Sequence, residues 1–453
     1  MGIRNRLLVG FSILFIIGGI VPKEVLCNSQ TIQVSPERAL VDVPVTIRVT
    51  GLKPQQPITL QASVTDMSQV VWSAQVNFVA DDNGTLDLKQ SVPVSGSYTG
   101  ADPMGLVWSM TPEGDKNKFT WPAFTDPFII TFKALINGEV VATSQAERTW
   151  TADNVRREVI RDNGLFGTLY LPSGKGPHPA IILVSGSGGG LSENRAAIYA
   201  AHGYAAFALA YFNYETLPKA LINIPLEYFG KAIKYLQARR DIDGKRLAIM
   251  GGSRGGELSL LLGAYFPQFK AVIAMVPSGL VWSGIGGAPE DGVQPAWTYN
   301  GKAIPFMQGG ENSDYNYMQE YNIRGEPMPL TPSFVKQIER IPESIKKATI
   351  PVERINGAVL MISGEDDQMW PSCRMAEISM ERLRQNNFPY HYEHVCYPGA
   401  GHLIGIPFLP ATCAGSKHPV AGSLFAYGGD AVSNEIASVN SWQKILDFLD
   451  KYL

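Results

Sequence analysis

The octapeptide Met250-Gly-Gly-Ser-Arg-Gly-Gly-Glu257 stands between two apolar segments of different character. The segment before it, Arg246–Met250, predicts a buried strand, and the segment Glu257–Tyr265 predicts a helix. A G-x-S-x-G pattern at a strand-to-helix turn is typical of a nucleophile elbow. The two glycines of the pattern would let strand and helix approach closely, while the tight turn would lift the serine hydroxyl clear of the sheet. The sequence therefore predicts Ser253 as a nucleophile.

Length and composition indicate a folded protein of more than one domain. The chain has 453 residues, of which 45% are hydrophobic and 17% charged, and its formal net charge is −3. This length favours two or three domains. Without a strongly basic balance or a Lys/Arg-rich run, the sequence gives no indication of a nucleic-acid partner.

The amino terminus has the layout of an export signal. A basic segment, Met1–Arg6, precedes an apolar run over 7–21 that is shorter than the ~20 residues of a membrane span. Val25-Leu-Cys27 then offers small or apolar residues before a cleavage point. We predict that 1–27 is a signal peptide, with an uncleaved signal anchor as the alternative. The chain would then be exported or membrane-anchored, and any membrane association would occur only through 7–21.

The region 28–150 predicts β structure. Short apolar runs, several of them alternating, are separated by turn residues at Gly51–Pro54, Asp81–Gly84 and Asn137-Gly138. The predicted strands are Thr31–Val34, Val45–Val49, Ile58–Ala62, Val70–Trp72 and Phe128–Phe132. This spacing favours an amino-terminal sandwich of immunoglobulin type that packs against the next domain.

The region 151–453 predicts a second domain, in which strands and helices alternate after a hairpin that turns at Asn163-Gly164. The predicted strands are Ala180–Val184, Tyr204–Ala210, Arg246–Met250, Ala271–Val276, Ala358–Ser363 and one within 389–397. The predicted helices are Asn194–His202, Leu226–Arg239, Glu257–Tyr265 and Ile436–Leu453. This alternation favours an α/β fold with a mostly parallel sheet covered on both faces. The stretch 279–350 interrupts the alternation and predicts a lid or a substrate-pocket insertion.

A serine nucleophile needs a base, and the base needs a carboxylate that orients it. In a strand-turn-helix site of this type the expected order is Ser, Asp or Glu, then His. His402 follows the last predicted strand in a glycine-rich loop and is the predicted base, with His418 as the alternative. The acidic turn Gly364-Glu-Asp-Asp367 follows the preceding strand. We predict Asp367 as the orienting acid, with Asp366 as the alternative.

Two stretches predict the oxyanion hole. The elbow would direct the backbone N–H of Arg254 and the positive end of its helix at the reacting carbonyl. The loop Ser185-Gly-Ser-Gly-Gly-Gly190 would supply a second N–H from Gly186 or Ser187. A phosphate-cradling loop is disfavoured because no lysine follows at the required position. The sequence predicts neither a metal nor a cofactor.

The chain has four cysteines, one of which lies in the predicted signal. The remaining three would leave at least one thiol unpaired in an exported protein. We expect Cys396, in an apolar strand, to be a plain core residue, and Cys373 and Cys413 are a possible pair.

From about Thr31 to the carboxyl terminus, the chain resembles the acyl-CoA thioesterases that share ancestry with bile acid-CoA:amino acid N-acyltransferase. The resemblance rests on ordered motifs: Gly96–Trp108, Ala210–Pro218, Leu226–Phe229, Gly251–Leu258, Gly364–Trp370 and Cys396–His402.

This resemblance implies an amino-terminal β-sandwich, a carboxy-terminal α/β-hydrolase and hydrolysis of fatty acyl-CoA to free acid and CoA. By motif matching it implies Ser253 as nucleophile, His402 as base and Asp367 as acid. The amino-acid-transferring members resemble this chain but carry cysteine at the position of Ser253, so the serine favours hydrolysis.

The export signal conflicts with the intracellular location that the resemblance implies, where CoA is available. An exported carboxylesterase, or a peptidase on the same fold, is therefore an alternative. Two further alternatives are an enzyme that transfers the acyl group to glycine or taurine and an inactive protein that binds a lipid or a partner. Aromatic and methionine residues of the insertion either line an acyl pocket or pack the lid. These residues are Met307, Tyr315, Tyr317, Met318 and Tyr321.

Overall fold

The computed structural model describes residues 29–114, 119–288, 290, 292–307 and 312–453, and of the side chains in 312–318 only that of Tyr317 is described. The predicted signal over 1–27 and the side chains of Tyr315 and Met318 lie outside the described residues. Within the described part of the chain, no helix combines the length and the apolar character needed to cross a membrane.

The first region is built from short strands and one helical turn, α1 (Gly105–Trp108). The strands are β1 (Thr31–Ser35), β2 (Arg38–Leu40), β3 (Thr46–Thr50), β4 (Pro57–Thr65), β5 (Val71–Val79), β6 (Leu86–Asp87), β7 (Ser95–Gly96), β8 (Thr111–Pro112), β9 (Phe128–Ile136) and β10 (Glu139–Thr149). In the described residues they form a three-stranded sheet, β1-β3-β6, and a seven-stranded sheet, β2-β10-β9-β4-β5-β7, with β8 beside β5.

Alternating burial explains how these strands share one core. In β4 every second residue from Ile58 to Val64 is buried, which is the pattern of a strand with one face on the core. Every predicted strand of this region lies within or overlaps an observed one. Most neighbours are antiparallel, but β2 runs parallel to β10. The immunoglobulin type of the predicted sandwich stays a prediction.

The second region contains a longer series of strands. They are β11 (Arg156–Ile160), β12 (Phe166–Leu171), β13 (His178–Val184), β14 (Ala205–Ala210), β15 (Ile224–Pro225), β16 (Ile242–Gly252), β17 (Phe269–Met275), β18 (Trp297–Tyr299), β19 (Lys302–Ala303), β20 (Ala358–Gly364), β21 (Tyr392–Tyr397), β22 (Gly415–Lys417) and β23 (Leu424–Ala426). Eight of them form one sheet in the order β11-β12-β14-β13-β16-β17-β20-β21, in which all neighbours after β14 are parallel. This is an α/β-hydrolase sheet.

Helices cover both faces of this sheet. They are α2 (Glu193–Ala201), α3 (Glu227–Gln237), α4 (Arg254–Tyr265), α5 (Asn312–Arg324), α6 (Thr331–Arg340), α7 (Pro342–Ala348), α8 (Ser372–Gln385) and α9 (Ala431–Tyr452). Successive residues of β13 enter different cores, because side chains alternate across a strand. Ile181 and Leu183 join the core that contains α2, α9 and the first region, whereas Ile182 and Val184 join the core that contains α3 and α4.

The interruption predicted over 279–350 contains α5, α6, α7 and a small sheet in which β18 pairs with β15 and β19. Its own core holds Leu280, Trp282 and Met307 together with Trp370. The insertion therefore packs directly on the loop that follows β20.

Asp42 links the two regions. One of its carboxylate oxygens lies 2.6 Å from His202 Nε2 and accepts a hydrogen bond from Trp442 Nε1 at 2.9 Å. These partners belong to α9 and to the end of α2, the two helices that share a core with the first region. The contact anchors the first region on one face of the hydrolase sheet.

The structure corrects the cysteine predictions. Cys373 in α8 and Cys396 in β21 form a disulfide, with their Cα atoms 5.6 Å apart, and Cys413 is a buried free thiol. Cys396 is exposed rather than a core residue. The prediction was wrong because β21 is the edge strand of the sheet and none of its residues is fully buried.

Candidate active site

Ser253 stands at the junction between β16 and α4, with φ 59° and ψ −125°. This left-handed backbone conformation is uncommon for a residue with a side chain. Residues in such strained conformations occur often at functional sites. A Cβ placed on Gly251 would lie 2.4 Å from the carbonyl oxygen of Gly255, and one on Gly255 would lie 2.5 Å from that of Ser185. Both positions therefore require glycine, as the sequence indicated.

The helix start supplies a donor beside the serine. The N–H groups of Gly256 and Glu257 bond to the carbonyl oxygen of Ser253 at 2.8 and 3.1 Å. Arg254, the first residue of α4, presents a backbone N–H that no intrahelical carbonyl can accept. The positive end of the helix dipole lies at the same place, so this end of α4 is suited to a developing negative charge.

The side chain of Arg254 turns away into the protein and fastens the elbow to the insertion. Its Nη2 donates to the carbonyl oxygen of Trp282 at 3.0 Å, and its Nη1 lies 3.1 Å from Glu257 Oε2. Glu257 also accepts from Trp297 Nε1 at 2.7 Å. Burial raises the pKa of Glu257 to about 7. Sequence reasoning missed this pair, since nothing local shows that the insertion covers the elbow.

His402 is paired with Asp367. The Nδ1 of His402 lies 2.8 Å from Asp367 Oδ2, and both side chains are buried. Because a carboxylate only accepts, Nδ1 carries the proton, and in the neutral ring Nε2 keeps its lone pair. Asp367 Oδ1 also accepts from the backbone N–H of Met369 at 3.0 Å, which holds the carboxylate in place. This geometry is suited to a base held by an orienting acid.

Aromatic rings hold the imidazole from two sides. The ring of Tyr427 stacks on His402 at 6.3 Å between centroids, and that of Trp370 meets it at 6.2 Å, tilted by 75°. Asp366 has a different partner: its Oδ2 accepts from the N–H of Gly429 at 2.9 Å. Of the two acids left open by the sequence, Asp367 is the one that contacts His402.

Arg195 connects the elbow to the histidine loop. A Cβ on Gly252 would lie 3.9 Å from its Nη1, and one on Gly405 would lie 3.6 Å from its Nη2. The residues next to Ser253 and just after His402 therefore flank the same guanidinium. Sequence reasoning did not find Arg195, because it lies in the first turn of α2 and belongs to no recognisable motif.

The predicted oxyanion loop lies against the serine. A Cβ on Gly186 would be 3.3 Å from Ser253 Cβ and 3.9 Å from its Oγ. The loop is fixed at both ends, because Tyr211 donates to the carbonyl oxygen of Ser185 at 2.8 Å and Asn213 Nδ2 donates to that of Gly188 at 2.9 Å. These contacts place the backbone of Gly186 and Ser187 beside the nucleophile.

A mainly apolar cavity of about 240 Å³ opens beside Ser253. Its described apolar lining consists of Trp282, Ile285, Leu330, Phe334, Met369, Trp370, Ala421 and Phe425. Most of these residues come from the insertion and from the loop after β20. Met307, which the sequence offered as an acyl-pocket residue, instead packs in the core of the insertion, and Tyr317 and Tyr321 contact each other.

His418 also lines this cavity, although it lies 165 positions after Ser253 in the chain. Its Nε2 lies 2.8 Å from Ser187 Oγ, and the structure gives it no carboxylate partner among the described residues. Sequence reasoning considered His418 only as an alternative base and missed its contact with Ser187 in the predicted oxyanion loop. Among the described residues, no group of three or more His, Cys, Asp or Glu could hold a metal ion.

Comparison with known proteins gives matches over most of the chain. The family model for the acyl-CoA thioester hydrolase/BAAT amino-terminal region matches residues 42–162, and the model for the BAAT/acyl-CoA thioester hydrolase carboxyl terminus matches residues 224–453. Among solved structures, the α/β hydrolase GrgF from Penicillium aligns with 66% of this chain and 98% of its own, at 18% identity and a TM-score of 0.37.

The curated relatives span nearly the whole chain. Mitochondrial acyl-coenzyme A thioesterase 2 of Mus musculus is 32% identical over 94% of this chain and 90% of its own. Acyl-coenzyme A thioesterase 1 of Homo sapiens is 32% identical, over 92% and 95%. Acyl-coenzyme A amino acid N-acyltransferase 1 of Mus musculus is also 32% identical, over 92% and 97%. Both regions of the chain and the order of its motifs thus place it in the acyl-CoA thioester hydrolase/BAAT family.

Proposed function

We propose that this protein is a serine-dependent acyl-CoA thioesterase that hydrolyses fatty acyl-CoA to free acid and CoA. The observation that carries the proposal is the arrangement around one apolar cavity. Ser253 lines it from a strained elbow, and Trp370, which also lines it, contacts the ring of His402. An activated serine beside an apolar cavity is suited to acyl transfer.

The proposed first half-reaction forms an acyl-enzyme. Nε2 of His402 takes the proton of the Ser253 hydroxyl while Oγ attacks the thioester carbonyl carbon. The buried carboxylate of Asp367 stabilises the imidazolium that results. The backbone N–H of Arg254 and an N–H from Gly186 or Ser187 bind the oxyanion. When the intermediate collapses, the carbon–sulfur bond breaks and the CoA thiolate receives the proton from His402.

The second half-reaction releases the acid. His402 takes a proton from a water molecule, whose oxygen attacks the ester carbonyl, and the same oxyanion donors act again. The carbon–oxygen bond to Ser253 then breaks, and the serine recovers its proton from His402. Because every proton moves between His402, Ser253, water and the leaving group, this mechanism requires no metal and no cofactor.

A second candidate function is transfer of the acyl group to an amino acid, which the similarity to an amino acid N-acyltransferase supports. We favour hydrolysis because the nucleophile is a serine. An oxygen ester is attacked readily by water, whereas a thioester on cysteine favours an amine. Adding glycine or taurine to the assay and measuring the conjugate separates the two functions.

We also propose that the protein works in an oxidising compartment, on the exported side of a membrane. The disulfide between Cys373 and Cys396 supports this location, because such bonds persist mainly in secreted and extracytoplasmic proteins. In that compartment, CoA thioesters would compete with other esters as substrates, so an exported carboxylesterase is the alternative activity.

The test is steady-state hydrolysis of an acyl-CoA series, with release of free thiol as the measurement and an aryl ester as comparison. Rapid turnover that depends on acyl chain length supports the thioesterase. Slow turnover of every acyl-CoA together with rapid cleavage of the aryl ester would replace it with the carboxylesterase. A dipeptide amide serves as control for peptidase activity.

A further inference from the structure

Ser187 and His418 form a polar pair in a cavity whose lining is otherwise mainly apolar. They come from distant parts of the chain: Ser187 follows β13, and His418 follows β22. The distance from His418 Nε2 to Ser187 Oγ is 2.8 Å, and both residues line the cavity together with Ser253. The proposed proton transfers between Ser253 and His402 use neither side chain, so the pair has no role yet.

The surroundings of His418 determine which of its nitrogens carries the proton. The backbone N–H of Ala421 donates to Nδ1 at 2.9 Å, and that of Val420 donates to the same nitrogen at 3.2 Å. A ring nitrogen that accepts hydrogen bonds has no proton, so in the neutral ring the proton is on Nε2. Burial lowers the pKa of His418, which favours the neutral ring. His418 therefore donates from Nε2 to Ser187 Oγ.

This direction excludes a second serine–histidine nucleophile. To activate Ser187, His418 would have to accept the serine proton on Nε2, but that nitrogen already holds a hydrogen. Protonation of Nδ1 would cost its two backbone hydrogen bonds. His418 can therefore hold the Ser187 hydroxyl in place but cannot act as its base.

The same hydrogen bond leaves the Ser187 proton available. A hydroxyl has one proton to donate and can accept two hydrogen bonds. Since Ser187 Oγ accepts from His418, its own proton must point elsewhere. Among the described residues the structure gives this proton no acceptor, and the residue lines the cavity. The chain thus presents an oriented O–H donor to whatever occupies the space beside Ser253.

We propose that the Ser187 hydroxyl is a side-chain donor to the oxyanion and that His418 is the residue that positions it. The adjacent Gly186 lies against the nucleophile, because a Cβ there would be 3.9 Å from Ser253 Oγ. A hydroxyl whose partner is already fixed needs no reorganisation when charge develops, which is the property of an effective oxyanion donor. The proposal rests on the acyl-transfer function proposed above.

The position of His418 gives this role a structural basis. The hairpin β22–β23 that carries it pairs with the insertion, since the N–H of Met328 donates to the carbonyl oxygen of Leu424 at 2.9 Å. The Ser187 donor is therefore held by the same segment that closes the cavity. Displacement of this hairpin would take His418 away from Ser187 and leave the serine hydroxyl without the residue that positions it.

The test compares four variants of the full chain: Ser187→Ala, Ser187→Thr, His418→Asn and the double variant Ser187→Ala/His418→Asn. Threonine keeps the hydroxyl. Asparagine keeps an oxygen that can accept from Val420 and Ala421, but its side chain is too short to reach Ser187. Measurements are kcat and KM for the best acyl-CoA, the rate of covalent labelling of Ser253 by a fluorophosphonate, and the melting temperature.

We expect Ser187→Ala to lower kcat by about 10²-fold, the effect of losing one oxyanion donor, with little change in KM. Ser187→Thr should keep most of the activity. His418→Asn should lower kcat when Ser187 is present and should have no further effect when it is added to Ser187→Ala. This non-additivity distinguishes a positioning residue from a merely structural one, which would lower activity in both backgrounds.

Unchanged kcat and labelling rate in Ser187→Ala would overturn the inference, as would equal losses from His418→Asn in the two backgrounds. These results differ from failure of the proposed function, in which the wild-type protein itself would turn over no acyl-CoA or ester. In that case the rate of fluorophosphonate labelling still tests the role of Ser187, because phosphonylation of Ser253 places a negatively polarised oxygen in the proposed oxyanion hole.

Discussion

Asp367 and His402 are joined by a hydrogen bond of 2.8 Å between Oδ2 and Nδ1, and Asp367 also accepts from the N–H of Met369. In Asp367→Asn, the amide oxygen would keep the backbone bond and the amide NH₂ would face His402. The imidazole would then hold its proton on Nε2, the wrong tautomer for a base. We expect kcat to fall by about 10⁴-fold with little change in melting temperature.

The neighbouring acid is a matched control for this variant. Asp366 accepts from the N–H of Gly429 and has no contact with His402, so Asp366→Asn should change kcat by less than about threefold. Equal losses in the two variants would show that the acidic loop acts as a structural unit and that Asp367 has no special role.

Substitution of the nucleophile separates hydrolysis from transfer. Ser253→Ala should lower turnover by about 10⁵-fold or more and abolish fluorophosphonate labelling, because no other hydroxyl stands at the elbow. Ser253→Cys should form a thioester intermediate, and the conjugate formed with glycine or taurine should rise relative to free acid. Near wild-type hydrolysis by Ser253→Ala would end the proposed mechanism.

Phe334 limits the cavity and should influence the choice of acyl chain. Its ring meets Trp282 at 4.6 Å and Trp370 at 5.9 Å, and all three line the cavity. Phe334→Ala should therefore raise kcat/KM for longer chains relative to shorter ones by about tenfold. Tyr321→Ala is the control, since Tyr321 packs on Tyr317 outside the cavity lining. A shift with Tyr321→Ala alone would instead assign the pocket to that part of the insertion.

The disulfide can be counted in solution. Denatured without reductant, a chain that begins at residue 28 should show one titratable thiol, that of Cys413, and after reduction it should show all three. Cys373→Ala/Cys396→Ala should lower the free energy of unfolding by about 3 kcal/mol, since the bond closes a loop between residues 23 apart. Three thiols before reduction would contradict the pairing.

Glu435 should make stability depend on pH. It is buried in α9, and burial raises its pKa from 4.5 to about 8 although it accepts from the N–H of Phe408. Between these pH values the folded chain holds a proton that the unfolded chain has lost. The stability contributed by this proton is complete below about pH 4.5 and is lost as the pH rises through about 8.

Glu435→Gln removes this titration and can keep the hydrogen bond to Phe408. The melting temperature of the variant should therefore rise relative to that of the wild type as pH increases from 5 to 8. Glu257, whose pKa burial also raises, is present in both proteins, so the difference between them reports on Glu435. Parallel melting curves across this range would show that Glu435 has an ordinary pKa.

Local patterns were enough to predict most of the secondary structure. The predicted strands of the hydrolase sheet fall on observed ones within a few residues, and the elbow lies at a strand-to-helix junction with glycines that cannot be replaced. The helix α8 was not predicted. Its polar composition and the Pro371 before it resemble a loop, and packing against β20 and β21 supplies the order.

The order of chemical groups along the chain could also be inferred, because each of them follows a strand of one parallel sheet. Ser253 comes directly after β16, and Asp367 and His402 lie in the loops that follow β20 and β21. The carboxyl ends of these parallel strands lie at one edge of the sheet. The type and approximate place of each group thus followed from periodicity and turn residues. Their catalytic roles stay predictions until the variants are measured.

Contacts between distant segments required the three-dimensional structure. The hydrogen bond between His418 and Ser187 joins residues that are 231 positions apart, and no sequence motif around either residue predicts the other as its partner. The disulfide partner of Cys396, the choice of Asp367 over Asp366 as the residue that contacts His402, and the lining of the cavity also depend on contacts between distant segments. Strands and helices depend mainly on neighbouring residues, so short stretches of sequence predict them. These pairings instead depend on how the strands and helices pack together. That packing is decided by a free-energy balance over many weak contacts, which no short stretch of sequence contains.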